Sequence, residues 1–300
     1  MSSLFPNTRE HRFRIDGVDI FARIGGAGPP LLLIHGFPQT HAMWHRVAPE
    51  LMQHFTCVMP DLRGYGYSSC PENDTGNSAY SKRAMARDLI GLMHGLGHQR
   101  FAMVGHDRGG RVAYRMALGH PAAVSCLSLL DIVSTYDMWS NFTVKLAMKT
   151  YHWLFLAQPN PLPEMLIERA PVSYLDYTLA SWTKAKNLSA FDEDALAEYR
   201  LHYATPEHIH ATCNDYRAGA TADLADDRAD RVTGRKITCP TLALWGDSGI
   251  PSETGAPLAA WRQWCNDVTG HGIDSGHFIA EENPSALLSH LQPFLLAHAL

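Results

Sequence analysis

Apolar and polar positions repeat with the period of a β-strand in some stretches of the chain and with that of an α-helix in others. The two kinds of stretch alternate along the chain. Residues 12 to 24 alternate like a β-hairpin, and residues 30 to 34 form the unbroken apolar run of a strand buried on both faces. Further apolar runs predict strands at 56–59, 100–104, 124–130 and 240–245, and helical periodicity predicts helices at 43–52, 81–96 and 110–118. Alternation of this kind predicts an α/β fold with a mostly parallel, doubly wound sheet, whose ligands bind at the carboxyl ends of the strands.

The alternation stops between residues 133 and 225. This stretch is rich in helical periodicity, aromatic residues and prolines, and it offers no clear strand. We therefore predict a helical cap, or lid, over residues 133–225, inserted into a core made of residues 1–132 and 226–300.

The segment Gly105-His106-Asp107-Arg108-Gly109 lies between a predicted strand and a predicted helix. Small residues on both flanks suit a turn whose backbone leaves no room for side chains. The pattern small-x-Asp-x-small is typical of the nucleophile elbow of the α/β-hydrolases, with Asp107 in the place usually taken by serine. Alternatively, Asp107 could simply cap the helix that follows.

An aspartate nucleophile favours a particular chemistry. Serine displacing a group from a saturated carbon would leave an ether, which water cannot clear. A carboxylate instead forms an aspartyl ester, and a water activated by histidine can hydrolyse that ester. Asp107 therefore indicates the opening of a carbon–halogen bond or of an epoxide.

His277, in the glycine-flanked segment Ser275-Gly276-His277-Phe278, follows the elbow in the chain order of this fold and is the candidate base. Two aspartates could orient it, Asp131 after the sixth strand and Asp247 after the seventh. We favour Asp131. The alternative stays open at this point.

The backbone around the elbow should supply an oxyanion hole. The fold takes its two N–H donors from the residue after the nucleophile and from the loop after the third strand, here Arg108 and Phe37.

Arg108 and Arg111, hereafter the elbow arginines, are three positions apart near the start of the helix after Asp107. Buried arginines need a counter-charge, so a substrate carboxylate held between their guanidinium forks is one interpretation. Salt bridges to acids of the lid or core are the other.

Composition limits the partners. The net charge of -5 and the lack of any Lys/Arg run disfavour nucleic acid and anionic membranes. The first 30 residues lack the apolar core of a signal peptide, no apolar run has membrane-spanning length, and the six cysteines are widely spaced. We expect a cytoplasmic enzyme whose partner is a small molecule.

Several further segments complete a resemblance that runs along nearly the whole chain. They are His35-Gly36-Phe37-Pro38-Gln39-Thr40-His41, Tyr151-His152-Trp153, Ala180-Ser181-Trp182-Thr183 and Asp215-Tyr216-Arg217-Ala218-Gly219. With the elbow and the His277 segment, the chain resembles the fluoroacetate dehalogenases, the haloacetate-cleaving branch of the α/β-hydrolases.

The resemblance implies a role for each matching residue. Asp107 would be the nucleophile, His277 the base and Asp131 its acid, with the elbow arginines on the substrate carboxylate. His152, Trp153 and Tyr216 would bind the halide, and Phe37 and Trp182 would line the pocket. It also implies a homodimer, with no metal and no organic cofactor. From composition alone, these aromatic residues could equally be lid core.

Three functional hypotheses remain. The leading one is hydrolytic dehalogenation of short 2-haloacids, converting fluoroacetate and water to glycolate and fluoride. An epoxide hydrolase would share the Asp and His machinery, but such enzymes commonly use two lid tyrosines, and the predicted pocket has one. The third is a non-enzymatic ligand receptor on the same fold.

Overall fold

The sheet of this protein runs through the centre of the fold. The computed structural model describes residues 4–254 and 257–299. The described residues form an eight-stranded sheet in the order β1-β2-β4-β3-β5-β6-β7-β8. Its strands are β1 (Thr8–Ile15), β2 (Val18–Gly25), β3 (Pro30–Ile34), β4 (Thr56–Pro60), β5 (Phe101–His106), β6 (Val124–Leu130), β7 (Thr241–Gly246) and β8 (Val268–Ile273).

Strand directions confirm the predicted fold class. The β1–β2 and β2–β4 pairs are antiparallel, which makes the predicted hairpin an edge of the sheet. Every other pairing in the sheet is parallel. All residues of β5 and β6 are buried, as expected for central strands covered by helices on both faces.

Helices cover the sheet and fill the long insertion. The α-helices of the core before β7 are α1 (Ala48–Leu51), α2 (Lys82–Gly95) and α3 (Asp107–Gly119). Those between β6 and β7 are α4 (Thr135–Ser140), α5 (Val144–Lys149), α6 (Tyr151–Leu156), α7 (Leu162–Ile167), α8 (Pro171–Trp182), α9 (Glu193–Tyr203), α10 (Pro206–Ala220) and α11 (Ala222–Thr233). The remainder are α12 (Pro257–Arg262), α13 (Ile279–Glu282) and α14 (Pro284–His298).

One predicted helix was wrong. Instead of a continuous helix over 43–52, the chain forms a 3-10 turn at His41–Trp44 and the four-residue helix α1. Pro49 lies in the first turn of α1, where its missing N–H costs nothing. A helix that continued through Pro49 would lose a backbone hydrogen bond at this position. The chain therefore ends the 3-10 turn and begins a separate helix, α1.

The insertion is helical throughout. The region 133–225 contains no strand, and the predicted cap boundary at residue 225 falls inside α11. Helix α11 packs against the core through buried ion pairs of Arg115, on α3, with Asp227 and Asp230. The division into core and cap remains a prediction.

Two predictions from composition can be compared with the described part of the chain. All six cysteines are free, and five of them are buried. Within residues 4–254 and 257–299, no helix has both the length and the apolar character that crossing a bilayer requires.

The ion pairs of Arg115 should contribute strongly to the stability of the packing between α3 and α11. Arg115→Met removes the only ion pair of the buried Asp227 among the described residues and leaves Asp230 with a 3.6 Å pair to the half-exposed Arg235, so we expect the free energy of unfolding to fall by about 3 kcal/mol. Urea denaturation would measure the loss.

Arg83→Met is the matched control for Arg115→Met. Arg83 also pairs with an acid of α11, Asp226, but its side chain is 51% exposed. Its loss should cost less than about 1 kcal/mol. Equal losses in the two variants would contradict the importance of the buried pairs.

Candidate active site

Asp107 is the first residue of α3, directly after β5, as the sequence predicted. Its φ angle is 46°, a left-handed conformation that non-glycine residues adopt at a cost. A Cβ atom on Gly109 would lie 2.2 Å from the His35 carbonyl oxygen, and one on Gly105 would lie 2.6 Å from the Gly109 carbonyl oxygen. The small flanking residues therefore permit the sharp turn that presents the Asp107 side chain above the sheet.

The two oxygens of the Asp107 carboxylate have different surroundings. The N–H of Phe37, one of the two predicted oxyanion-hole donors, donates to Oδ1 at 2.9 Å. Oδ2 lies 3.8 Å from Nε2 of His277. Burial alone would raise the pKa of this carboxyl, but the charge of His277 and those of the elbow arginines hold the pKa below its ordinary value. The side chain is thus a buried carboxylate in its charged form.

His277 is oriented by Asp131 and not by Asp247. Nδ1 of His277 lies 2.5 Å from Oδ2 of Asp131. Because a carboxylate only accepts, Nδ1 carries the proton and Nε2 is free to accept one. Asp131 is itself fixed by the Gly246 N–H, which donates to Oδ1 at 2.8 Å. Asp247 is exposed to solvent.

The electrostatics of His277 follow from this pairing. Burial lowers the pKa of an imidazole, but the hydrogen bond to Asp131, the charge of Asp131 and that of Asp107 outweigh it. The pKa of His277 is therefore raised above its ordinary value. Nε2 is buried and has no hydrogen-bond partner, so it is available to a bound water or substrate.

The two elbow arginines differ in a way that the sequence did not predict. Arg108 already has a counter-charge within the protein, because its Nε and Nη2 donate to the Asp215 carboxylate at 3.0 Å and 2.6 Å. Its guanidinium fork is thereby occupied, and only Nη1 is buried without a partner. The salt-bridge alternative therefore applies to Nε and Nη2 of Arg108, and binding of a substrate carboxylate by its Nη1 stays a prediction.

Arg111 is the elbow arginine with an uncompensated charge. Its Nη1 donates to the Val133 carbonyl at 3.1 Å and to the Thr135 hydroxyl at 3.2 Å, and both partners are neutral. In the described part of the chain it forms no ion pair, and its Nε has no partner. Burial lowers the pKa of Arg111, although an arginine side chain still remains protonated. A buried guanidinium without an acid is the arrangement that an anionic ligand would stabilise.

Sequence reasoning missed the charges behind Arg108. Asp215, on α10, also binds Lys82 and accepts from the Tyr65 hydroxyl at 2.7 Å. Lys82 is itself buried and lies 3.3 Å from Asp223. The only signal in the sequence was that Asp215 precedes Tyr216 in a segment already matched to the family. Nothing local connects Asp215 to Lys82, which is 133 positions away.

An aromatic wall from the lid faces the elbow. His152 and Trp153 on α6, Tyr216 on α10 and Trp182 at the end of α8 are all buried. The His152 ring centroid lies 4.3 Å from that of Trp182 and 5.6 Å from that of Tyr216. Phe37 completes the wall from the core, 5.3 Å from Tyr216. The structure therefore brings together the predicted lid residues and the elbow.

Two of these aromatic residues carry unused polar atoms. Nδ1 of His152 and the Tyr216 hydroxyl are buried without a hydrogen-bond partner. Burial lowers the pKa of His152 to about 3, so its imidazole is neutral and has one N–H. Burial and the Asp107 charge raise the pKa of Tyr216, which keeps its hydroxyl protonated. Among the described residues, no group of three or more His, Cys, Asp or Glu side chains could hold a metal ion.

Asp131→Asn should lower the pKa of the His277 imidazole, because it removes the charge that favours the protonated ring. Asp247→Asn should leave that pKa unchanged, since Asp247 is exposed and outside the His277 pair. Histidine ring signals followed by NMR across a pH titration would measure both. The opposite result would assign the pairing to Asp247.

Known proteins with similar sequences and structures fit this geometry. The family model for the α/β-hydrolase fold matches residues 29–284. A fluoroacetate dehalogenase from Burkholderia sp is 41% identical, covering 97% of this chain and 95% of its own. A soluble epoxide hydrolase from Corynebacterium sp. is 30% identical, covering 93% and 94%. The crystal structure of ALR0039 from Nostoc sp, an α/β-hydrolase by its description, superposes with a TM-score of 0.94 at 46% identity, covering 97% of this chain and 99% of that one. With Asp107 at the elbow, His277 paired to Asp131 and this degree of similarity, the chain belongs to the α/β-hydrolase family.

Proposed function

We propose that the protein is a hydrolytic dehalogenase of short 2-haloacids, with fluoroacetate and water converted to glycolate and fluoride. The observation that carries the proposal is the presence, in one site, of a buried, ionised Asp107 and of a buried Arg111 that forms no ion pair among the described residues. The first provides a nucleophile for a saturated carbon, and the second provides a site for the acid group of the substrate. The 41% identity to a fluoroacetate dehalogenase supports the same conclusion.

In the first step, Oδ2 of Asp107 attacks C2 of the haloacid, and the halide leaves with the electron pair of the carbon–halogen bond. Oδ1 is held by the Phe37 N–H, which leaves Oδ2 as the oxygen that faces the pocket. The product is an ester between Asp107 and glycolate. The N–H of His152 and the hydroxyl of Tyr216, with the indole of Trp153 beside them, stabilise the departing halide.

In the second step, Nε2 of His277 removes a proton from water, and the resulting hydroxide attacks Cγ of the Asp107 ester. Negative charge then develops on Oδ1, at the atom that already accepts the Phe37 N–H. Collapse of this intermediate breaks the ester bond between Cγ and the glycolate oxygen, which takes the proton from the His277 imidazolium, and loss of the remaining hydroxyl proton to solvent restores the carboxylate. Asp131 stabilises the imidazolium that forms on His277 in between.

Substrate recognition divides unequally between the elbow arginines. Arg111 supplies the free charge, and Arg108 supplies Nη1 from a guanidinium that Asp215 holds in place. Arg111 also stacks on Trp153, with its Cζ 4.4 Å from the ring centroid, so this indole links the acid site to the halide site. A small substrate could therefore contact both sites at once.

An epoxide hydrolase is the second candidate, and one observation favours it. The hydroxyls of Tyr174, Tyr203 and Tyr216 are buried without a partner, and Tyr203 and Tyr216 both lie against Phe37, so a second tyrosine hydroxyl is available near the pocket. Such a pair could protonate the alkoxide of an opened epoxide. The buried charge of Arg111 favours the haloacid, because a neutral epoxide would leave that charge without a partner.

Release of fluoride from fluoroacetate tests the proposal directly. We expect halide and glycolate in equal amounts from the wild type, and no halide from Asp107→Asn. His277→Asn should release a single equivalent of halide and retain the ester on Asp107, detectable by mass spectrometry as an added carboxymethyl group. Hydrolysis of styrene oxide without halide release from any haloacid would instead establish the epoxide hydrolase.

Arg111→Gln tests the acid site. Loss of a hydrogen-bonded charge should raise KM for chloroacetate and lower kcat/KM about 10- to 100-fold, equivalent to 1.5–3 kcal/mol. Chloroacetamide, a neutral substrate of the same shape, is the matched control and should lose much less. If both substrates lost kcat/KM equally, Arg111 would have no role in recognising the carboxylate.

A further inference from the structure

The backbone that carries His277 is held at three consecutive N–H groups. Gly276 and Phe278 both donate to the side chain of Glu282, to Oε2 at 2.9 Å and to Oε1 at 3.0 Å. The N–H of His277 itself donates to the carbonyl of Trp182, the last residue of α8, at 2.9 Å. One carboxylate and one lid carbonyl therefore satisfy the donors on this loop.

Glu282 also binds the lid. Its Oε2 accepts the N–H of Lys184 at 2.7 Å, just after α8 ends. The same oxygen thus joins the lid segment 182–184 to the His277 loop. Both the lid segment and the loop bind Glu282 through backbone N–H groups. The side-chain ammonium of Lys184 takes no part, since it pairs with Asp274. Bonds from N–H groups to a carboxylate are charge-assisted and stronger than neutral ones.

The lid and the loop are in very close contact here. A Cβ atom on Gly276 would lie 2.4 Å from the Lys184 nitrogen and 2.5 Å from the Trp182 carbonyl oxygen. Only glycine allows the two backbones to approach this far. The Trp182 ring then lies edge-on to the His277 imidazole, with centroids 5.3 Å apart.

We propose that Glu282 is a positioning residue. Through its hydrogen bonds to the end of α8 and to the His277 loop, it sets how far the His277 imidazole lies from Asp107. Asp131 fixes how the imidazole is rotated, through Nδ1, but it does not fix where the loop backbone lies. The position of the loop backbone is set by the Glu282 carboxylate, which accepts hydrogen bonds from the N–H groups of Gly276, Phe278 and Lys184. On the function proposed above, on which this inference rests, the step that depends on it is hydrolysis of the Asp107 ester.

Displacement of His277 should act selectively on that second step. Attack by Asp107 on the haloacid needs no proton transfer, whereas a base displaced by about 1 Å can cost on the order of 100-fold in rate. The hydrogen bonds that Glu282 accepts from the His277 loop and from Lys184 are called the clamp below. Removing the clamp should therefore let the ester form at nearly the normal rate and then accumulate. A general loss of folding would slow both steps together.

Lys184→Pro and Lys184→Ala form a matched pair. Both lose the ammonium, but only proline lacks the N–H that binds Glu282. Thr183 has φ −69° and ψ 157°, which is the extended conformation that a residue before proline prefers. Glu282→Gln is the complementary change, since an amide keeps only one acceptor oxygen for the three N–H donors.

Rapid-quench kinetics with chloroacetate would measure the two steps, through chloride release in the first turnover and through the ester-bound protein by mass spectrometry. In Lys184→Pro and Glu282→Gln we expect chloride release within about 3-fold of wild type and ester hydrolysis slowed on the order of 10-fold or more. Lys184→Ala should match the wild type in both steps. Lys184→Pro that behaves like Lys184→Ala, or equal slowing of both steps, would overturn the proposal.

Amide hydrogen exchange separates this inference from the proposed function. Exchange at residues 276–278 should be faster in Lys184→Pro than in Lys184→Ala, whatever the substrate of the protein is. If the wild type released no halide but this difference were present, the dehalogenase proposal would fail and the clamp would stand. Unchanged exchange together with normal ester hydrolysis would overturn the clamp alone.

Discussion

The charged state of the buried Asp107 carboxylate is the constraint on which the rest of the site depends. Burial opposes ionisation, and the elbow places the carboxylate at the buried start of α3. The protein offsets this cost with the N-terminal end of a helix, one backbone N–H, the neighbouring His277 and two cations, the elbow arginines. Each of those cations needs support of its own, and that requirement extends the network into the lid.

The network explains why two neighbouring arginines are used differently. Two buried cations and two buried anions balance one another around Arg108. Asp215 pairs with both Arg108 and Lys82, and Lys82 also pairs with Asp223. Arg111 forms no ion pair among the described residues, and its charge is one of those that lower the pKa of Asp107. On the proposed mechanism the substrate carboxylate becomes its partner and remains so after Asp107 is alkylated.

Sequence could predict the parts of this site that are local. Asp107 and Phe37 follow from turns of a few residues at strand ends, where small neighbours and strand periodicity leave a clear pattern. The choice between Asp131 and Asp247 was not local, since both end adjacent strands. It depends on which side chain turns toward His277, and Asp131 achieves this with a φ of 51° that no pattern indicated.

The long-range partners were beyond reach for the same reason. Asp215 lies 107 positions from Arg108, and Glu282 lies 98 positions from Lys184. An acid on a helix looks the same in sequence whether it faces solvent or a buried guanidinium. Glu282 was harder still, because its partners are backbone N–H groups, which every residue except proline has.

These contacts predict that the two ends of the helical insertion differ in how easily they separate from the sheet. Helices α10 and α11 are tied to the core by buried ion pairs of Arg108 and Arg115, and separating them would strand unpaired charges in an apolar interior. The end of α8 is tied by hydrogen bonds to a half-buried Glu282, which water can replace at much lower cost. Opening for a substrate should therefore begin at α8, so the element that admits the substrate is the one that contacts His277. On the role proposed for Glu282, closure at α8 and correct placement of His277 would then occur together.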